Sequence, residues 1–166
     1  LDSPMSFIAY TNGATIEGLN ISLIGNYYNS KNLYNGALVG DATNTTILDS
    51  QILGVNYASY SSTILASNYY YAKVMGQANG YAVIKNTTLT NKFESNVAGT
   101  NINVSYLIGN ANCSDLKVVT NNGSTTAIYL ANISISDIDS NIVAKNYGAI
   151  TANQNASGIL AEDIYI

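Results

Sequence analysis

Few side chains in this sequence could do acid–base chemistry. Asp137 and Asp139 flank Ile138 and would share one face of a strand. Glu162 and Asp163 adjoin near the end of the chain, and Asp49 and Asp115 lie in earlier segments. Paired carboxylates can work as acid and base on a glycoside, or bind Ca²⁺. On a polysaccharide such acids also want a basic partner. The sequence holds no Arg and no His, and no spacing places Lys117 or Lys145 beside them. Solvated acids on an outer face are the simpler expectation.

Other chemistries fall to the same inventory. Without His there is no Ser-His-Asp or Cys-His machinery and no imidazole metal site. Without Arg there is no guanidinium fork for phosphate or guanine. Six Lys against ten Asp and Glu leave a net charge of -4, the wrong sign for a nucleic-acid backbone. Cys113 is the single cysteine, which allows no intrachain disulfide or thiolate metal site. It reads as a small turn residue, with a free thiol or an intermolecular bridge as the alternative. No stretch approaches the ~20 apolar residues of a membrane span. The expectation is a protein that is not an enzyme, with no catalytic residue, cofactor, metal, nucleic-acid partner or membrane span.

Two residue classes remain that could carry function. The pattern Asn-x-Ser/Thr occurs at Asn20, Asn44, Asn86, Asn103, Asn112, Asn122, Asn132 and Asn155, eight candidate N-glycosylation sites. The sequence holds 24 Asn, so the pattern is also what polar turns contain by composition. The second class is aromatic. Tyr27-Tyr28 and Tyr69-Tyr70-Tyr71 could stack on sugars, cover an outer face or pack between subunits; Ile164-Tyr165-Ile166 is an apolar strand that could contact a second subunit.

A repeat supplies the elements that would position these residues. Five runs open on two apolar residues and a small one: Phe7-Ile8-Ala9, Leu38-Val39-Gly40, Val74-Met75-Gly76, Leu107-Ile108-Gly109 and Ala149-Ile150-Thr151. A polar turn with Asn follows each, at Asn12, Asn44, Asn79, Asn112 and Asn155. A strand-like run comes next, and Ile47-Leu48 then Ile52 matches Ile159-Leu160 then Ile164 in spacing. Ile64–Ser67 and Tyr129–Asn132 read as partial copies between full ones. Ile21 to Ile24, Thr46 to Leu53, Asn101 to Ile108 and Ala127 to Ile138 are rich in Ile, Val, Leu, Thr and Tyr, the signature of strands. No segment carries a sustained helical period.

Short strands at a period of some 20–40 residues predict an all-β β-solenoid, or β-helix, of about five to seven irregular coils, one repeat domain over residues 1–166. One such coil cannot bury its inner face alone, so coils stack at the strand spacing of ~4.8 Å. Asn at the corners tolerates the left-handed conformation and can bond the Asn above it. The first residues, Leu1-Asp2-Ser3-Pro4, lack a basic or apolar leader and an initiator Met, and read as a mature chain or a piece of a longer one.

Gly36-Ala37-Leu38-Val39-Gly40, followed by Thr46-Ile47-Leu48-Asp49-Ser50, resembles the GLUG-type repeats of large surface and adhesin-like proteins. The resemblance implies a secreted or cell-surface module and brings no catalytic residues. The leading expectation is a self-associating structural element of an extracellular surface layer or filament, N-glycosylated at some sequons. The alternatives are a carbohydrate-binding adhesin module and a carbohydrate-active β-helix enzyme.

Overall fold

A computed structural model describes residues 6–28, 34–59, 68–95, 101–137, 140 and 144–166. The described residues are all-β, with no helix, and the sheets pair in parallel apart from one small hairpin. The predicted partial copy at Ile64–Ser67 lies outside the described residues.

The strands fall into five tiers. The first holds β1 (Ile8–Asn12), β2 (Thr15–Glu17), β3 (Asn20–Ser22) and β4 (Gly25–Tyr28). The second holds β5 (Tyr34–Gly36), β6 (Val39–Leu48), β7 (Gln51–Leu53) and β8 (Val55–Ser59). The third is β9 (Tyr69–Ala72) and the long β10 (Met75–Ser95). The fourth is β11 (Ile102–Ser105), β12 (Ile108–Asn112), the hairpin β13 (Val118–Val119) and β14 (Thr125–Thr126), and β15 (Ile128–Asp137). The fifth is β16 (Asn146–Gly148), β17 (Thr151–Gln154) and β18 (Ile159–Tyr165).

Each tier pairs with the next in parallel, with one register shift in β10 between Asn79 and Ala82. Ile8, Val39, Met75, Ile108 and Thr151 form one row across all five. Ile16, Ile47, Ile84, Leu130 and Ala161 form another, and Ile21, Ile52, Leu89 and Ile135 a third. Apart from Thr151 and the exposed Ala161 of the fifth tier, these rows are apolar and make the main core, in which Ile47, Ile52, Ile84 and Leu89 are fully buried. Each buried Ile or Leu contributes roughly 1.5–3 kcal/mol, and the stack is what supplies its neighbours.

Two corners recur, the first in the first three tiers and the second in all five. At the first, Gly13, Asn44 and Gly80 hold positive φ angles of 67°, 49° and 69°. At the second, Gly18, Asp49, Asn86, Asn132 and Asp163 do the same, with φ between 47° and 66°. Only Gly, Asn and Asp visit this conformation readily, and all eight positions carry one of the three. Five residues separate the rows on either side of the second corner in each tier where both are paired (Ile16 to Ile21, Ile47 to Ile52, Ile84 to Leu89, Leu130 to Ile135). The strand–corner–strand unit is therefore the invariant part of the repeat.

The structure corrects four expectations. Thr151 pairs with Ile108, so the small residue of the fifth tier is Ala152. Ile159 pairs with Ile128, which pairs with Ala82 and so aligns with Thr45; the expected match to Ile47 is displaced by two residues. A two-residue slip in a strand keeps side chains on the same face, so the apolar pattern does not reveal it. Tyr129–Asn132 is not a partial copy: it pairs with Val83–Lys85 and turns at the second corner. The excursion that carries β13 and β14 pushes it away from the start of its own tier. The expected continuous strand Thr46–Leu53 is likewise broken at Asp49-Ser50, where the chain turns that corner.

Candidate functional site

Because the main core is apolar, the outward rows are where a ligand or a second molecule would meet these sheets. On the face formed by β1, β6, β10, β12 and β17, two rows stand side by side. One is Tyr10, Asp41, Gln77, Asn110 and Asn153; the other is Asn12, Thr43, Asn79 and Asn112, continued by Asn155. The amides bond along the stack. Asn155 Nδ2 donates to Asn112 Oδ1 at 3.3 Å, Asn112 Nδ2 to Asn79 Oδ1 at 3.2 Å, and Asn79 Nδ2 to Asp41 Oδ1 at 2.9 Å. Asn153 Nδ2 donates to Asn110 Oδ1 at 2.7 Å.

A second ladder runs along the Asp49 corner: Asn132 Nδ2 donates to Asn86 Oδ1 at 3.0 Å, and Asn86 Nδ2 to Asp49 Oδ1 at 2.8 Å. Both ladders end on an aspartate. A carboxylate can only accept, so it fixes which way its neighbour's amide points, and each amide then fixes the next. Burial raises the pKa of Asp41, with the Asn79 bond pulling the other way.

The face formed by β3, β7, the far half of β10, and β15 is different. Its outward rows are Asn20, Gln51, Thr88, Ser134 and Tyr165, and alongside them Ser22, Leu53, Thr90 and Ser136. All are exposed or half-buried and none is charged. Among the described residues, none of the Asn, Gln, Ser or Thr side chains in these rows hydrogen-bonds to the protein. Beside them the chain bends at Gly54, which has φ 110° and lies against the backbone of Leu23, leaving no space for a side chain. The bend opens a trough of about 290 Å³ lined by Leu53, Gly54, Val55, Thr90 and Lys92.

The sequons spread over these surfaces. Asn20 lies in the uncharged rows, and Asn86, Asn112, Asn132 and Asn155 in the ladders. Asn44 holds the first corner and accepts a hydrogen bond from the Tyr81 N–H. Asn122 sits at the exposed hairpin turn, where its Oδ1 accepts from Thr120 Oγ1. Asn103 is buried, and its Nδ2 donates to the Tyr69 and Asn101 carbonyls, so its amide is closed to a glycan in the fold.

The tyrosines divide too. Tyr70 stacks on Tyr34 with ring centroids 5.6 Å apart, both half-buried. Tyr71 is fully buried against Phe93, because β9 turns it inward into a second core with Ile102 and Val104, and its ring is not offered to a ligand. Tyr27 and Tyr28 lie in β4, and their side chains, like that of Asp137, lie outside the described residues, as does all of Asp139. Tyr165 and Ile166 are exposed, while Ile164 packs against the main core.

The acids do not converge. Asp49 and Asp163 hold corner positions in different tiers, Glu162 accepts from Tyr129 Oη at 3.5 Å, and Asp115 pairs with Lys117 at 3.5 Å. Among the described residues no group of three or more His, Cys, Asp or Glu could hold a metal ion, and no helix is long and apolar enough to cross a membrane. Cys113 is buried, and burial, reinforced by Asp115, pushes its thiol up to about 12.

Sequence reasoning missed Lys73. It is fully buried, its Nζ has no hydrogen-bond partner, and desolvation lowers its pKa to about 8. Its position, next to the apolar pair Val74-Met75, is the only signal the sequence carries. No family model, curated protein or solved structure matches the chain.

Proposed function

We propose that the five tiers close into a β-solenoid that serves as a structural building element of an extracellular layer or filament. The observation that supports this reading most is the constant register of the strand–corner–strand unit through parallel tiers. A surface built this way presents the same backbone pattern at each step. Among the described residues, β1 pairs only with β6, and β18 only with β15. A strand with one neighbour is a template for another strand of the same register. Low charge favours such stacking, since few like charges meet across the contact.

The GLUG-type resemblance of Gly36–Ser50 favours an extracellular setting. In that setting N-glycans would sit on exposed sequons, among them Asn122 at the hairpin turn, which lies outside both the ladders and the uncharged rows. Sedimentation velocity over a rising concentration series, followed by negative-stain electron microscopy, tests the assembly. Concentration-dependent rods of constant width are expected. A monomer across the whole series would overturn the reading.

A further inference from the structure

We propose that the uncharged strip on β3, β7, β10 and β15, with the trough at Gly54, is a binding site for an uncharged polysaccharide chain lying along the stack. It rests on the register of the strip and not on the assembly role, so either reading can fail alone.

The first argument is a contrast in hydrogen bonding. On the amide face, donors and acceptors are consumed by one another from tier to tier. On the strip, the Thr88, Thr90, Ser134 and Ser136 hydroxyls and the Gln51 amide make no side-chain bond to the protein. The strip thus offers evenly spaced donors and acceptors at the inter-strand spacing of ~4.8 Å. A ligand rich in hydroxyls, each both donor and acceptor, matches an array of Ser, Thr and amide groups.

The second argument is the apolar border. The trough of about 290 Å³ sets Leu53 and Val55 beside Thr90. Ile24, one residue before the Gly25–Asn56 pair and so beside Val55, is 77% exposed. At the far end of the strip Tyr165, paired with Ser134, is 63% exposed. A sugar ring has hydroxyl edges and apolar C–H faces, and needs both kinds of surface.

The third argument is charge. The rows of the strip contain none, and Asp49 and Asp163 stand on the corner beside them. Lys92, at the trough, is half-buried and already has a partner within the protein. An acidic polysaccharide would meet repulsion along the aspartate margin, so the ligand class is neutral. A rigid ordered-water lattice fits less well, because Asn, Gln, Leu, Thr, Ser and Tyr differ in length along the rows and break any flat plane.

Affinity electrophoresis of the unglycosylated chain tests this, in gels containing amylose, β-1,3-glucan, mannan or xylan, with polygalacturonate and alginate as anionic counterparts. At least one neutral polymer is expected to retard the protein, and the anionic ones not. The Gln51→Ala/Thr88→Ala/Ser134→Ala variant should weaken retardation at least tenfold, and Thr90→Glu should abolish it. Asn110→Ala/Asn153→Ala on the amide face should leave it unchanged. Circular dichroism and melting of each variant keep binding loss distinct from unfolding. Retardation by no neutral polymer, equal retardation by the anionic ones, or full retention by the triple variant would each overturn the site. Thermal hysteresis without glycan retention would overturn it in favour of ordered water.

Discussion

Two outward faces of this protein, one built on Asn with Asp41 and one on Asn, Gln, Ser and Thr, handle their polar groups in opposite ways. On the face of Asp41, Asn79, Asn112 and Asn155, each amide satisfies the next. On the face of Gln51, Thr88 and Ser134, the polar groups make no bond to the protein. An Asn amide carries both a donor and an acceptor, and where Asn recurs at one position in successive tiers each amide reaches the next. Along the strip no residue type repeats from one tier to the next, so no such ladder forms. Lys73 is the extreme case of an unpartnered group, because its amine is unpartnered in the interior.

Lys73 should give the largest effect. Its folded pKa, about 8, lies below its ordinary 10.5, so between those values the unfolded chain binds more protons than the folded one. The cost is therefore fully present below pH 8 and fades as the pH rises toward 10.5. Lys73→Met should stabilise the protein at pH 7 by about 3 kcal/mol, at roughly 1.4 kcal/mol for each tenfold loss of proton affinity. Urea denaturation at pH 7 and pH 10 checks this, with the gap between variant and parent closing at the higher pH. An unchanged gap would show that desolvation of the charged amine is not its source.

Next in size is a pair of substitutions two residues apart on β10. Asn86→Ala removes two ladder bonds and leaves Ala at φ 51°. Left-handed strain of roughly 1–2 kcal/mol and about 1 kcal/mol per lost hydrogen bond give a destabilisation of about 3 kcal/mol. Thr88→Ala, on the exposed strip, should change stability by no more than about 0.5 kcal/mol. Thermal melts of the two variants side by side measure the contrast, and equal losses would remove the distinction between the faces.

The smallest effect tests direction. Asp41→Asn keeps shape and hydrogen-bonding capacity but removes the carboxylate that orients Asn79. A change under about 1 kcal/mol is expected. Burial holds the carboxyl of Asp41 above its ordinary pKa, so the parent bears a cost that disappears as pH falls through the folded value. Asp41→Asn should therefore sit at or above the parent at pH 7, and lose that advantage in acid. Denaturation midpoints at pH 7 and pH 4 decide it.

Much of this was legible in particular residues. The rows through Val39, Met75 and Ile108, and the Asn ladder through Asn79, Asn112 and Asn155, were visible as a recurring order of apolar pair, small residue and Asn turn. Asn44 was grouped with that ladder, yet it stands one position later, in the positive-φ slot shared with Gly13 and Gly80; Thr43 occupies the ladder row. Both slots favour Asn, so residue type alone did not separate them. The inward turn of Tyr71 and the burial of Lys73 were hidden because the end of β9 and the bend after it are buried without a break from Tyr71 to Val74, which erases the alternation a half-exposed strand would show.

By itself the sequence determined the all-β class, the recurring order of apolar pair and Asn turn, and the absence of His and Arg, because these follow from residue types and their local order. The tertiary structure decided register, and with it which neutral side chains meet and which stand alone. Strand periodicity repeats every two residues, so local pattern tolerates a two-residue slip such as Ile159 against Ile47, and only the parallel pairing of neighbouring tiers removes it.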